Sequence, residues 1–392
     1  MPNFAVLTEL NTLGKMDKFL YNNPELTFFR YSHMKTTNFA LDTIMTHMDG
    51  NSRRRSAEIE REGDLAMSCY LVVDCPGITG QYAEKLGYAM IKSVSLNIGG
   101  QCIERLTGEY MCAWDELSGG LKRLSDAGAN QLINPDDDGL ATRLYVPLPF
   151  TFTQNSGSAL PLIGLQHHAI KVEVELNNVG QIAPGTVQMA AYLSNQASAA
   201  TAADTQAAAK WSDFDFHLMT CQVYLDKEER QSFADYSNDM LITQVQERIV
   251  DKSDLNRSFQ LTFNHSINHL MWTMQGVAAT KEGCSEVSLT FNNHERFHAM
   301  KQHGRYFRTV QPYMHHSNVP LKGASDRIYC YNFGLKPEDA QPSGSVNMSR
   351  IDNVHMKLST DDDANNLTIR LYARNYNVLR IQNGMGGLVL TS

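Results

Sequence analysis

The sequence predicts an all-β protein built from two copies of one β-sandwich. Three observations carry that expectation: a hydrophobic period of two, turn clusters between short apolar runs, and three phrases that recur at offsets near half of the 392-residue chain. The run Ile170-Lys171-Val172-Glu173-Val174-Glu175-Leu176 alternates apolar and charged residues without a fault, as a strand with one wet face does. Residues 70–73, 91–98, 218–225, 328–333 and 367–372 behave alike. Asp49-Gly50-Asn51-Ser52, Asn134-Pro135-Asp136 and Gln341-Pro342-Ser343-Gly344 punctuate them as turns. Many short strands spaced in this way indicate a sandwich or barrel. Pro147 and Pro149 place the 144–150 strand at an edge or a bulge, because proline cannot donate to the ladder.

The recurring phrases keep their order. Val94-Ser95-Leu96-Asn97 returns as Val287-Ser288-Leu289-Thr290, Leu144-Tyr145 as Ile328-Tyr329, and Ile170-Lys171-Val172 as Met356-Lys357-Leu358, at offsets of 193, 184 and 186 residues. Such constancy points to a tandem duplication. Between the copies, Asp226 precedes a helical stretch in which Glu229 can reach back as in a capping box. Phe233 and Tyr236, three apart, share a face that could dock on a sandwich. The expected organisation is an N-terminal arm (1–23), a first sandwich (24–226), a connecting helix and linker (227–240) and a second sandwich (241–392). Residues 119–140, rich in Gly, Asp and Asn, and the Ala-rich 195–210 read as long loops.

Composition narrows the function. Hydrophobic residues are 42% and charged residues 19%, which excludes wholesale disorder. A net charge of −8 and a pI near 5.9 argue against coating nucleic acid, which requires neutralising phosphates. No apolar run approaches a bilayer span, and residues 1–12 do not resemble a secretory leader. Seven scattered cysteines without a CxxC suit reduced core thiols made in a cytosol, and the four Asn-x-Ser/Thr matches at Asn256, Asn264, Asn347 and Asn366 are expected to be chance.

Chemistry is hard to find. His167-His168 and His315-His316 are adjacent pairs, and neighbours on a strand point to opposite faces, so neither pair chelates one ion. The runs Asp136-Asp137-Asp138 and Asp361-Asp362-Asp363 lack the spacing of a calcium loop, Arg53-Arg54-Arg55 reads as a charged strand start, and Gly384-Met385-Gly386-Gly387 lacks the lysine of a phosphate loop. No nucleophile elbow occurs. No catalytic residue, cofactor or metal is therefore expected; the only site residues singled out are those of the inter-domain link, Asp226, Glu229, Phe233 and Tyr236.

Specific phrases resemble the major capsid proteins of nucleocytoplasmic large DNA viruses. They are Asn23-Pro24-Glu25-Leu26-Thr27-Phe28-Phe29, Thr37-Asn38-Phe39-Ala40, Arg61-Glu62-Gly63-Asp64-Leu65, Ala159-Leu160-Pro161-Leu162-Ile163-Gly164-Leu165-Gln166-His167-His168 and Tyr224-Leu225-Asp226-Lys227-Glu228-Glu229-Arg230. The C-terminal third adds Leu335-Lys336-Pro337-Glu338, the stretch 341–353, Asn375-Tyr376-Asn377-Val378-Leu379-Arg380 and 384–388. The resemblance implies a tandem double jelly roll, two eight-stranded sandwiches with short connecting helices. It further implies a non-enzymatic shell protein whose homotrimers form pseudo-hexagonal capsomers tiling the icosahedral shell of a large double-stranded DNA virus. Expected partners are neighbouring capsomers, minor capsid or cement proteins, penton proteins and internal viral membrane proteins, with no direct nucleic acid. Assembly is expected in the host cytoplasm and residence in the virion capsid. Two alternatives share the architecture: a jelly-roll carbohydrate-binding or attachment protein, and a bicupin-type enzyme, which would need a His and carboxylate cluster repeated in both halves.

Overall fold

The computed structural model of the chain describes residues 12–50, 53–76, 85–119, 142–177, 211–235, 238–250, 257–275, 283–295, 302–320, 328–360 and 368–390. Residues 120–140 of the expected 119–140 loop, the expected loop 195–210, the aspartate runs 136–138 and 361–363, and Tyr236 lie outside them. Two compact units emerge, Met1–Asn38 and Phe39–Ser392. Among the described residues, no strand forms before Phe39. Within the first unit a seven-residue helix, Lys15–Tyr21, begins where Asp17 accepts the Gly14 amide at 2.8 Å. Its Phe19, and Phe28 and Phe29 beyond it, are exposed. No described helix is long and apolar enough to cross a membrane.

The second unit opens with β1 Phe39–His47, β2 Arg54–Glu58, β3 Leu65–Cys75, β4 Ile91–Ile98, β5 Gln101–Thr107, β6 Thr142–Pro147, β7 Leu160–Pro161, β8 Ile170–Leu176 and β9 Asp215–Leu225. They make one sheet in the order β1-β9-β3-β6 and another in the order β2-β8-β4-β5. The proline-bearing β6 is an edge, as its sequence requires. The chain then forms β10 Asn238–Val250, β11 Ser258–Gln260, β12 Ser266–Gln275, β13 Glu286–Phe291, β14 His294–Glu295, β15 Gln302–His303, β16 Ile328–Asn332, β17 Val346–Asn347, β18 Val354–Ser359, β19 Thr368–Gln382 and β20 Met385–Leu388. The orders β10-β19-β12-β16 and β11-β18-β13-β14 repeat the first pair of sheets strand for strand.

This is the double jelly roll, and the duplication lies in its topology. Each recurring phrase falls on matched strands: β4 with β13, β6 with β16, and β8 with β18. The alternating Ile170–Leu176 run buries its apolar side chains and leaves Lys171 and Glu173 exposed. Its Val172 and Val174 meet Leu71, Val73, Phe216 and Leu218 of the facing sheet in the first core. The second core joins Val287, Leu289, Met356 and Leu358 to Leu270, Trp272, Leu371 and Ala373.

Candidate functional site at the seam between the sandwiches

In the sheet β10-β19-β12-β16, the strands β12 and β16 and the first half of β19 are buried on both faces. Alternation along its strands sends Leu270, Trp272, Met274, Tyr329, Ile369, Leu371 and Ala373 into the second core. The intervening Met271, Ile328, Cys330 and Tyr372 join the core of the first sandwich instead. One sheet is thus a wall common to both sandwiches, and its strands β12, β16 and β19 carry nearly unbroken buried runs.

On the other side of this wall stands the helix Gly108–Leu117, in which nine of the ten residues are buried. Thr107 caps it, its hydroxyl oxygen accepting the Tyr110 amide at 3.3 Å. Glu109 sits in the positive first turn. Gly108 is required by close approach, since a Cβ there would fall on the carbonyl oxygens of Tyr88 and Ile91.

Polar groups concentrate where helix and wall meet. Arg374, 3% exposed, donates to the carbonyl of Pro337 at 3.1 Å, to Gln154 Oε1 at 2.6 Å and to Thr243 Oγ1 at 3.2 Å. Its guanidinium lies 4.3 Å from the ring centre of Trp114, a cation–π contact shielded from water. The opposite side of the cluster stacks Trp114 on His269 at 5.3 Å, with His316 edge-on to both rings. Glu109 accepts from the Thr273 hydroxyl and forms an ion pair with Arg370 at 2.9 Å, while Arg370 also reaches Glu247 at 2.9 Å. Asn318 donates through its backbone amide to Leu117 O and through its side chain to Glu116 O. A cleft of about 220 Å³ opens beside Thr151, Gln154, Glu338, Arg374 and Tyr376.

Burial sets the protonation of these groups. It pushes Glu104 up to about 8, with the Thr151 amide and the charge of Arg374 pulling back only in part. His269 is held well below the usual imidazole range by burial and by the neighbouring His316 and Arg374. Burial pulls Glu338 upward, yet hydrogen bonds from His316 and Ser317 outweigh it and leave this carboxylate below its ordinary value.

The link residues lie elsewhere. A helix spans Lys227–Asp235; the Asp226 carboxylate accepts the adjacent Lys227 amide at 2.7 Å, and Glu229 Oε2 is buried without a hydrogen-bond partner. Phe233 is half-buried against a small cluster of Leu65, Ala159 and Val223, all in the first sandwich. Arg230 pairs with Asp64 at 3.0 Å, and Asp64 also accepts the Leu225 amide at 2.9 Å. His167 and His168 instead touch the second sandwich: the His167 amide donates to Gly384 O, and the Gly386 amide donates to His168 Nδ1.

Arg374, Trp114, Glu104 and Glu109 were not foreseen as a site. The available signal was a charged residue within an apolar strand run, Arg374 after Leu371-Tyr372-Ala373, and an acid-bearing apolar segment, Gly108–Leu117, between strands. Neither says what the second face of the wall touches.

The comparisons agree with this architecture. A family model for the large eukaryotic DNA virus major capsid protein matches residues 229–387, and one for the major capsid protein N-terminus matches residues 27–218. The major capsid protein of Pyramimonas orientalis virus is 32% identical, over 98% of this chain and 99% of its own. That of Paramecium bursaria Chlorella virus 1 is 30% identical, over 97% and 98% respectively. The crystal structure of PBCV-1 VP54, fitted into a cryo-EM reconstruction of the virophage Sputnik, superposes with a TM-score of 0.75 at 27% identity, covering 93% of this chain and 100% of that one. Two jelly rolls of matched topology sharing a buried wall, and relatives aligned from end to end, place the chain in the family of major capsid proteins of large eukaryotic DNA viruses.

Proposed function

We propose that the protein is the shell-forming subunit of a large double-stranded DNA virus, acting as a homotrimer whose six jelly rolls form a pseudo-hexagonal capsomer. The observation that carries this is the common wall: it holds two topologically equal sandwiches in one relative pose, as a six-cornered tile made of three chains requires. A quasi-atomic model of the PBCV-1 virus capsid contains a chain similar to this one, with a TM-score of 0.73 at 28% identity. Capsomers would meet side by side through shallow contacts repeated over an icosahedral shell, where multivalency compensates for weak individual affinity.

In this proposal 24–226 and 241–392 are the two jelly rolls, 227–240 is their link and 1–23 is an arm. Minor capsid or cement proteins, penton proteins and internal viral membrane proteins would contact the tile, DNA would not, and assembly would take place in the host cytoplasm. The role is mechanical, without catalysis. Analytical ultracentrifugation at micromolar concentration tests it: a species of three times 44.0 kDa is expected, and hexagonal particles in negative stain. A persistent 44.0 kDa monomer would overturn the trimer.

A further inference from the structure

At one end of the first sandwich three potential metal ligands converge on the outer face of a sheet. Strand register makes His47, the last residue of β1, the direct partner of His217 in β9. Asp215 lies two residues before His217 and so shares its face. His47 Nδ1 is 3.4 Å from Asp215 Oδ1, and His217 Nε2 is 3.9 Å from Asp215 Oδ2. One ligand atom from each residue can be chosen so that all three lie within 4.8 Å of one another.

We propose that His47, Asp215 and His217 bind a borderline divalent cation of the zinc class. Ligands around a tetrahedral ion with bonds of ~2.0–2.2 Å stand roughly 3.3–3.5 Å apart. The His47–Asp215 spacing already has that value, and the other pairs, within 4.8 Å, close to it by rotation of the exposed His47 and Asp215 side chains. The two imidazoles are 5.2 Å apart at 73°, edge to face, so they do not stack away from a common point. His217 Nδ1 is buried without a hydrogen-bond partner, which leaves Nε2 as the nitrogen turned towards the carboxylate.

Neighbouring charges keep Asp215 available. Asp74, opposite Asp215 on β3, is taken by Arg143 through bonds of 2.5 and 2.7 Å. Arg55 is committed to the Trp211 carbonyl at 3.0 Å and to the ring of Phe216, with its charge close enough to be felt at Asp215. Two nitrogen donors in three favour zinc, and after it cobalt, nickel or copper, over the oxygen-seeking magnesium and calcium. Side-chain exposures of 58% for His47 and 53% for Asp215 leave a fourth position open to water.

Isothermal titration calorimetry of the full chain with zinc chloride at neutral pH tests the site. One ion per chain is expected, with no saturable heat from magnesium or calcium. His47→Gln and Asp215→Asn should each weaken zinc binding by roughly tenfold or more, and both should abolish a zinc-dependent rise in melting temperature. Both positions are exposed, and circular dichroism verifies that the variants fold. Absence of saturable binding up to about 1 mM zinc, or variants that bind as the parent does, would overturn the proposal.

Discussion

Residues 227–235 connect the sandwiches through the backbone, whereas the Gly108–Leu117 helix and the common wall connect them through side chains. The backbone link is a largely exposed helix whose one sizeable apolar anchor, Phe233, rests on the first sandwich alone. The wall contact buries Trp114, Tyr372, Arg374 and Glu109 between both, with Arg370 partly exposed at its rim. A covalent connection therefore coincides with little interaction energy, and most of the energy setting the relative pose lies where the chain does not pass. Buried polar groups such as these specify one arrangement, because any other leaves them without partners.

The largest effect is expected at Trp114. Replacing it with alanine removes the ring under Arg374 and opens a cavity at the seam, with an expected cost of about 3–5 kcal/mol. Chemical denaturation measures it, and a loss under ~1 kcal/mol would show that the seam does not carry the pose.

Glu104, also at the seam, has the opposite sign. Its carboxyl has an ordinary value of 4.5 and is raised to about 8 in the fold. Below pH 4.5 both folded and unfolded chains carry the proton, so the shift contributes nothing. Between these values the unfolded chain ionises while the folded one does not, and stability falls as pH rises, levelling off above about 8. Glu104→Gln retains an acceptor for the Thr151 amide and removes that penalty. The expected gain is roughly 2–4 kcal/mol at the alkaline end and none at the acid end. Unfolding curves at both extremes check it; an equal effect at both would mean that the fold does not shift this carboxyl, and a loss at the alkaline end that Arg374 keeps it ionised.

The smallest effects belong to the link. Phe233→Ala should cost about 1–2 kcal/mol, less than the 3–5 of a fully buried ring, and Asp226→Ala about 0.5 kcal/mol. Melting temperature and sedimentation of both variants decide the matter. A Phe233→Ala defect equal to that of Trp114→Ala would move the pose-setting role back to the helix.

Which parts of this were legible in the sequence follows from the range of the interactions. Ile170–Leu176 declares its two faces because one is wet, and the duplicated phrases survive because matched strands need matched patterns. The wall strands β12 and β19 hide their second face: Trp272 and Met271 are both buried and both apolar, so nothing marks which core each enters. The three-residue spacing of Phe233 and Tyr236 is a local pattern visible in the sequence, whereas the residues across the seam come from positions as distant as 114, 269 and 374. His47 and His217 are brought together by strand register alone, and no local spacing reports it.

The double-faced wall also bears on how the chain reaches its fold. Along β19, Ile369, Leu371 and Ala373 enter one core while Arg370, Tyr372 and Arg374 serve the other side. A one-residue slip against β10 or β12 would exchange the two sets, driving two guanidinium groups into hydrocarbon and aliphatic side chains into a polar seam. Neither side can tolerate the error, so a misregistered intermediate is penalised twice and has reason to unzip. The wall is thus its own register check, keeping the chain from settling into a stable mispaired alternative.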